Sequence, residues 1–421
     1  YESDGFQENS YTRKNSFHTF FTHNLNEYGK ISLDMFAVDL KRGLPSGTPY
    51  DVSEFNGERE RKANAQNDWQ KDSNLYGSLT YSFKTPLTEH QISYSRNALL
   101  RNAYQWSSLT SIKTYSNNFS LKSSIKGFNT GIDFEENILR SNEYGNHSIK
   151  TIGYYIHKEF KPKEQLTLNA YLRYDDSKNF SDVISPKLIF SYTLSDKARL
   201  GYSISRSWRA PNFADLYGSP LYSYLPNPSI KPEKTISNEI SFNYTDDIDL
   251  NISAYYYDTD NKITIHTDPN TWESKSVNAD KGYTRGIETT LSYNYKKLDL
   301  QIGTNIMDVM IKESNSGSYK RAPYTPSLKC VFSTRLNTQL GKITFKTEKV
   351  SSQWTQINKT GKKIPEYTLS SVYLTKKYNS LLFELSIENL FNERYATNAD
   401  SWNGYYPGMP RNYSFSISIM F

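Results

Sequence analysis

The last nine residues read Tyr413-Ser414-Phe415-Ser416-Ile417-Ser418-Ile419-Met420-Phe421. Tyr413, Phe415, Ile417, Ile419 and Phe421 fall on one side of an extended backbone, and Ser414, Ser416 and Ser418 on the other. A period of two is the mark of a strand with one apolar face. The same alternation recurs upstream. Leu166, Leu168, Ala170, Leu172 and Tyr174 alternate with Gln165, Thr167, Asn169, Tyr171 and Arg173. Leu75, Leu79, Tyr81 and Phe83 alternate with Tyr76, Ser78, Thr80 and Ser82, and Leu200, Tyr202 and Ile204 with Gly201, Ser203 and Ser205. In each case the second face is small, polar or charged.

Two architectures use such strands. A soluble sandwich buries the apolar face against a second sheet. A transmembrane barrel turns it toward lipid and keeps the polar face for a wet lumen. Composition helps to choose. Of 421 residues only 36% are apolar, yet 35 are Tyr, 21 Phe and 6 Trp, an aromatic load that a disordered chain does not carry. No apolar run approaches the 18 residues or so of a membrane helix. The single cysteine, Cys330, excludes an internal disulfide framework and a thiolate metal cluster. A net charge of +6, spread along the chain, gives no basic stripe for nucleic acid.

Three features favour the barrel: strands of about 10 residues or more, Tyr and Phe near strand ends, and connections that alternate between short and long. Short turns fall near Asn24–Gly29, Lys84–Thr88, Lys126–Gly127, Pro162–Glu164, Leu194–Lys197, Thr245–Ile248, Lys296–Leu298, Asn337–Gly341 and Lys376–Asn379. The largest loops lie near Leu40–Lys71, Ser207–Lys234, Met310–Ala322 and Asn389–Pro410. Nine turns and nine loops predict 19 antiparallel strands in an all-β transmembrane barrel, with short turns on one rim and long loops on the other. Phe421 then ends on the turn rim and Tyr1 begins on the loop rim. An even, closed barrel has both ends on one rim, so the parity predicts a fragment with one strand, and more readily three, preceding Tyr1. A gap or seam is expected between the strand near Ser10–His23 and the strand ending at Phe421.

The stretch Ser205–Glu239 carries Trp208-Arg209-Ala210-Pro211, then Leu216-Tyr217-Gly218, then Asn227-Pro228-Ser229-Ile230-Lys231-Pro232-Glu233. Its prolines forbid helix and ladder alike, so it is a structured loop. Further on come Gly286-Ile287-Glu288, Glu388-Asn389-Leu390-Phe391-Asn392-Glu393-Arg394-Tyr395, and Pro407-Gly408-Met409-Pro410-Arg411-Asn412-Tyr413. Together these resemble the TonB-dependent outer-membrane receptors, which carry an aromatic-Arg-Ala-Pro box, an Asn-Pro-x-Leu-x-Pro-Glu box, a Gly-Val-Glu strand and a similar closing signature. Trp208 and Ile230 are conservative departures. The resemblance covers essentially the whole chain and implies a bacterial outer-membrane, multi-pass barrel of 22 strands. On that scale the N-terminal strands and the lumen-filling plug are missing here. It also implies energy-coupled uptake of a metal chelate, with the TonB coupling complex acting through that plug.

Alternation places Glu239 and Glu288 on the lumen face. The plain reading is lumen polarity; the resemblance implies that both contact plug arginines. Candidate ligand-binding residues are the loop aromatics Tyr217, Tyr222, Tyr224, Trp272, Trp402, Tyr405 and Tyr406, with Arg206 and Arg209 as donors. Aromatic walls with a few directed charges suit a bulky, partly anionic chelate. The family's haem receptors place a histidine between the two boxes; this chain has none between Pro211 and Asn227. Ferric siderophore and cobalamin both remain, with siderophore favoured by the long Leu40–Lys71 loop. A passive porin or surface barrel is the rival reading. Enzyme motifs fail: the six histidines have no metal-ligand spacing, and neither a nucleophile elbow nor a phosphate loop occurs. Asp258-Thr259-Asp260-Asn261 lacks the later positions of a calcium loop. No cofactor or bound metal is expected.

Overall fold

The computed structural model describes residues 1–25, 29–219, 223–268, 270–271, 273–279, 281–312, 317–400 and 402–419. Nineteen long strands follow one another: β1 (Thr12–Asn24), β2 (Gly29–Gly43), β3 (Trp69–Lys84), β4 (Thr88–Gln105), β5 (Ser108–Ile125), β6 (Phe128–Ser141), β7 (Gly145–Lys163), β8 (Leu166–Ser177), β9 (Val183–Ser195), β10 (Ala198–Arg209), β11 (Glu233–Thr245), β12 (Ile248–Asp260), β13 (Lys281–Tyr295), β14 (Leu298–Lys312), β15 (Leu328–Thr338), β16 (Gly341–Val350), β17 (Tyr367–Tyr378), β18 (Leu381–Glu388) and β19 (Asn412–Ile419). Each pairs antiparallel with the next, from β1–β2 through to β18–β19. The ladders thus satisfy the backbone groups sideways, as a sheet in lipid requires, with register shifts only near the turn ends at Phe160/Lys163 and Thr193/Ser195.

The register decides what faces where. Directly opposed residues share a face. One row runs Ile204–Asn238–Tyr256, and the next Ser203–Glu239–Tyr255–Gly286. Ile240 is 56% exposed, Ile287 50% and Phe415 64%, so the apolar face is the outer one. These residues do not pack on a second layer. The opposite face carries Ser203, Glu239, Ser253 and Glu288 and lines the hollow. The apolar side chains therefore point to hydrocarbon, as the barrel reading requires.

Eight of the nine short turns fall where the sequence places them, and the first, near Asn24–Gly29, lies in part outside the described residues. The strict alternation of connection length does not hold. On the loop rim β4 passes to β5 through Trp106 and Ser107 alone, and β6 to β7 through Asn142, Glu143 and Tyr144. Both reversals are tight turns, and Trp106 and Ser107 take left-handed φ of 49° and 66°. The rim is marked by which end the turn joins, not by its length. Pro323 and Pro326 precede β15 on the loop side, clear of the ladder. No pairing joins β1 to β19 among the described residues; on its outer edge β1 is met by Glu2 and Ser3 at Arg13 and Thr12.

The dry core is not in the wall. Phe55, Ile364, Ala396, Ala399 and Tyr405 form a buried cluster above the strands, with Tyr50 and Val52 packed on it. Thr48 and Tyr405 exchange backbone hydrogen bonds of 2.7 and 3.3 Å. Arg394 Nη1 donates to the Phe55 carbonyl at 2.9 Å, and the Glu60 carboxylate accepts from the Asn56 and Gly57 N–H groups at 3.0 and 2.8 Å. Far-separated loops are thereby knitted into one cap over part of the hollow.

Candidate functional site

The loop between β10 and β11 is rigid, and the reason is visible in its bonds. Asn212 caps a single helical turn, α1 (Phe213–Tyr217): its side chain accepts from the Asp215 N–H, while the Asp215 carboxylate accepts from the Asn212 N–H. Pro211 is fully buried. Asp215 Oδ1 accepts from Ser276 Oγ at 2.6 Å, Ser276 Oγ lies 2.5 Å from the Tyr224 hydroxyl, and Asn227 Nδ2 donates to the Ser276 carbonyl at 2.8 Å. Ser276 belongs to a short strand in the next loop, so the two loops are stitched together. Ser219 is hydrogen-bonded to Glu143, tying the same loop to the β6–β7 turn.

Arg209 Nε donates to Glu233 Oε2 at 3.0 Å across the foot of this loop, with Asp215 3.8 Å away. Burial works to raise the Glu233 carboxyl, but Arg209 and the Ile263 N–H hold it below its ordinary value. The hydrogen bond to Glu233 raises Arg209 against a smaller opposing effect of burial. Tyr224 is pushed up by burial.

Below the loop, Asp133, Arg173 and Asp175, which the sequence reading did not single out, meet inside the hollow, and Trp208, at the loop end of β10, reaches them although it shares the parity of Ile204. Arg173 on β8 donates to Asp133 on β6 and to Asp175, both at 2.8 Å, and Trp208 Nε1 donates to Asp175 Oδ2 at 3.1 Å. Gly153 lies between Asp133 and Asp175 in the row; a Cβ there would collide with the Arg173 guanidinium. This network and Phe213 border a recess of about 580 Å³ that also reaches Asn97, Glu135 and Thr151. The signal was available: Asp133, Arg173 and Asp175 are lumen-parity charges on strands whose other face is apolar.

The expected ligand residues do not form one site. Arg206 opposes Ile236 and shares the face of Ile204, so it points outward from the wall. Arg209 and Tyr224 are occupied within the loop. Tyr217 stacks on His147 at 3.3 Å between ring centroids. Tyr405 is only 7% exposed, with its hydroxyl donating to the Lys363 carbonyl at 3.1 Å. Burial and the nearby Asp51 carboxylate push its pKa up to about 12. Tyr406 donates to Asp400 Oδ2 at 2.8 Å, and burial with that carboxylate raises it too. Trp402 stands 74% exposed at the tip of its loop. Tyr222 and Trp272 lie outside the described residues. Glu288 accepts from Asn305 Nδ2 at 2.7 Å, and both it and Glu239 face the hollow as expected. Among the described residues no group of His, Cys, Asp and Glu could hold a metal ion.

Antiparallel strands with an apolar exterior and a polar, water-lined interior define an outer-membrane β-barrel. The match to known proteins is more specific: the "TonB dependent receptor-like, beta-barrel" model covers residues 2–407, and the chain belongs to that family. It is 25% identical over 263 residues, 62% of this chain and 41% of the relative, to the vitamin B12 transporter BtuB of Vibrio vulnificus. It is 24% identical over 274 residues, 57% of this chain and 40% of the relative, to the iron-regulated outer membrane virulence protein of Vibrio cholerae. These matches therefore span about two fifths of either relative's length. Among solved structures, the siderophore receptor PirA from Acinetobacter baumannii superposes with a TM-score of 0.80 at 12% identity, covering 99% of this chain and 72% of that one. The ferric citrate transporter FecA gives 0.79 at 15% identity, with 99% and 71% covered. At those identities the likeness is one of fold. The family's members are outer-membrane transporters, not enzymes.

Proposed function

We propose that this barrel is the translocating body of an importer that captures a metal chelate outside the cell, a ferric siderophore in preference to cobalamin. The observation that carries the reading is the recess under the β10–β11 loop. Its wall is mixed and combines a fixed guanidinium with Trp208 and Phe213. Such a surface offers aromatic faces to a bulky ligand, while its guanidinium is held in place by Asp133 and Asp175. The occupied hydroxyls of Tyr224, Tyr405 and Tyr406 give those three the role of holding the loops. Trp402 remains the exposed first contact.

Uptake against a gradient needs work, and the outer membrane holds no ATP. In this reading a plug fills the hollow, coupled to TonB, and Glu239 and Glu288 pair with its arginines. A charge-assisted pair in a confined lumen is directional enough to hold the plug and weak enough to yield to force. The decisive experiment is a titration of the full-length protein with ferric catecholate, ferric hydroxamate, ferric citrate, haem and cobalamin. Saturable binding of a ferric chelate, weakened about tenfold or more by Trp208→Ala, is expected. Binding of none, together with steady ion conductance in a planar bilayer, would establish the passive-pore reading instead.

A further inference from the structure

Two of the arginines near the β10–β11 loop are unavailable to an anionic ligand. Arg206 points out from the wall, and Arg209 is bound to Glu233. Inside the recess under the loop, Arg173 is the one cation among the described lining residues. Its guanidinium donates to Asp133 on one side and Asp175 on the other, both at 2.8 Å. A guanidinium gripped by two carboxylates has no charge to spare for a third anion.

Glu135 adds a further carboxylate. It stands two residues along β6 from Asp133 on the same inward face, a rise of about 7 Å toward the loops. Its row reads Ser95–Asn118–Glu135–Thr151–Ser177 and holds no cation. The side chain is exposed to the hollow and accepts one hydrogen bond, from Asn137 Nδ2 at 2.6 Å. No Lys or Arg among the described residues reaches it. Three carboxylates against one guanidinium leave the recess negative. Its walls are aromatic as well: Trp208 is anchored by Nε1 on Asp175, and Phe213 stands on α1. Ring faces and a carboxylate attract the same kind of group, an alkylammonium, because the ring quadrupole and the charge act in one direction.

We infer that the recess takes a ferric chelate bearing a free ammonium arm, with Glu135 as its counter-charge and Trp208 and Phe213 as the wall beside it. The inference rests on the reading of the barrel as a chelate importer and names the ligand class of that same recess. Three hydroxamates neutralise a ferric ion, so an amine at the end of such a chelate makes the whole complex cationic. Three catecholates leave it with three negative charges, which the excess carboxylates repel. The partly anionic ligand expected from the loop residues therefore has the wrong sign for this cavity.

The test is a titration of the full-length protein at neutral pH, where an alkylamine is protonated. Three probes are compared: a ferric trihydroxamate ending in a free amine, the same chelate with that amine acetylated, and a ferric tris-catecholate. The amine-ended chelate should bind tightest and its acetylated form about fivefold more weakly, with the gap narrowing as salt is raised. Glu135→Gln keeps an acceptor for Asn137 and removes the charge, so it should abolish the difference between the two hydroxamates. Glu384→Gln, on β18, should leave that difference intact. Equal affinity of the unaltered protein for the two hydroxamates, or tightest binding of the catecholate, would overturn the inference while the importer reading stands. An amine preference that survives Glu135→Gln would overturn it too, by placing the counter-charge elsewhere. Saturable binding of no chelate would remove the importer reading and this inference with it.

Discussion

In the wall, Ile240, Ile287 and Phe415 leave half or more of their surface uncovered by protein, while in the rim Ile364 and Ala399 have none uncovered. The same residue class is used in opposite senses. The wall is held by its ladder, and its apolar atoms gain from lipid rather than from one another. The rim lies above the bilayer, so its loops must exclude water with a small core and with satisfied polar groups, as in a soluble domain. The wall tolerates polar change only on its inner face; the rim tolerates little change to either its apolar core or its buried bonds.

The largest expected effect is on the rim core. Ile364→Ala should cost about 2–5 kcal/mol of local stability through lost burial and a residual cavity. Hydrogen exchange should speed up in residues 44–68 and 389–411 while the strands stay protected; equal loosening of the wall would refute the division. Next comes Ile240→Arg on the outer face, which near mid-membrane should cost about 2–4 kcal/mol in a vesicle refolding titration. Ser203→Lys, beside Glu239 on the inner face, should cost under about 1 kcal/mol. Comparable penalties for the two would mean that the faces are assigned wrongly.

Ser276→Ala should cost about 1–3 kcal/mol, because it removes one bond of the buried Asp215 carboxylate and the partner of the Tyr224 hydroxyl. Limited proteolysis within residues 209–233 would report it. The smallest effect is a pH dependence at Tyr405. Its folded pKa is raised from 10.0 to about 12, so folding favours the protonated phenol. That contribution is complete below pH 10, the ordinary phenol value, and is lost as pH rises through about 12. Alkaline loosening of the rim between those values should vanish in Tyr405→Phe, monitored by loop-cleavage rate.

The wall was almost entirely legible in the sequence because period-two alternation and strand length are local properties. Nineteen strands and the inward aim of Glu239 and Glu288 follow from parity alone, since a strand has only two faces. Arg206 shows the limit of reading by motif: it sits next to the Trp208-Arg209-Ala210-Pro211 box, yet parity with Ile204 puts it on the outside. Strand parity was the better guide there. The β4–β5 and β6–β7 reversals were misjudged in length because two or three residues suffice when left-handed φ is accepted at Trp106 and Ser107.

What the sequence by itself determined is the orientation of the wall and the family to which it belongs: alternation and boxed motifs need no distant contact to be read. What only the tertiary structure decided is the use made of the loop side chains. Tyr405 could have been a ligand contact or a core residue, and Ser276, far along the chain from Asp215, carried no signal at all. Burial and hydrogen-bond partners depend on which loops meet in space.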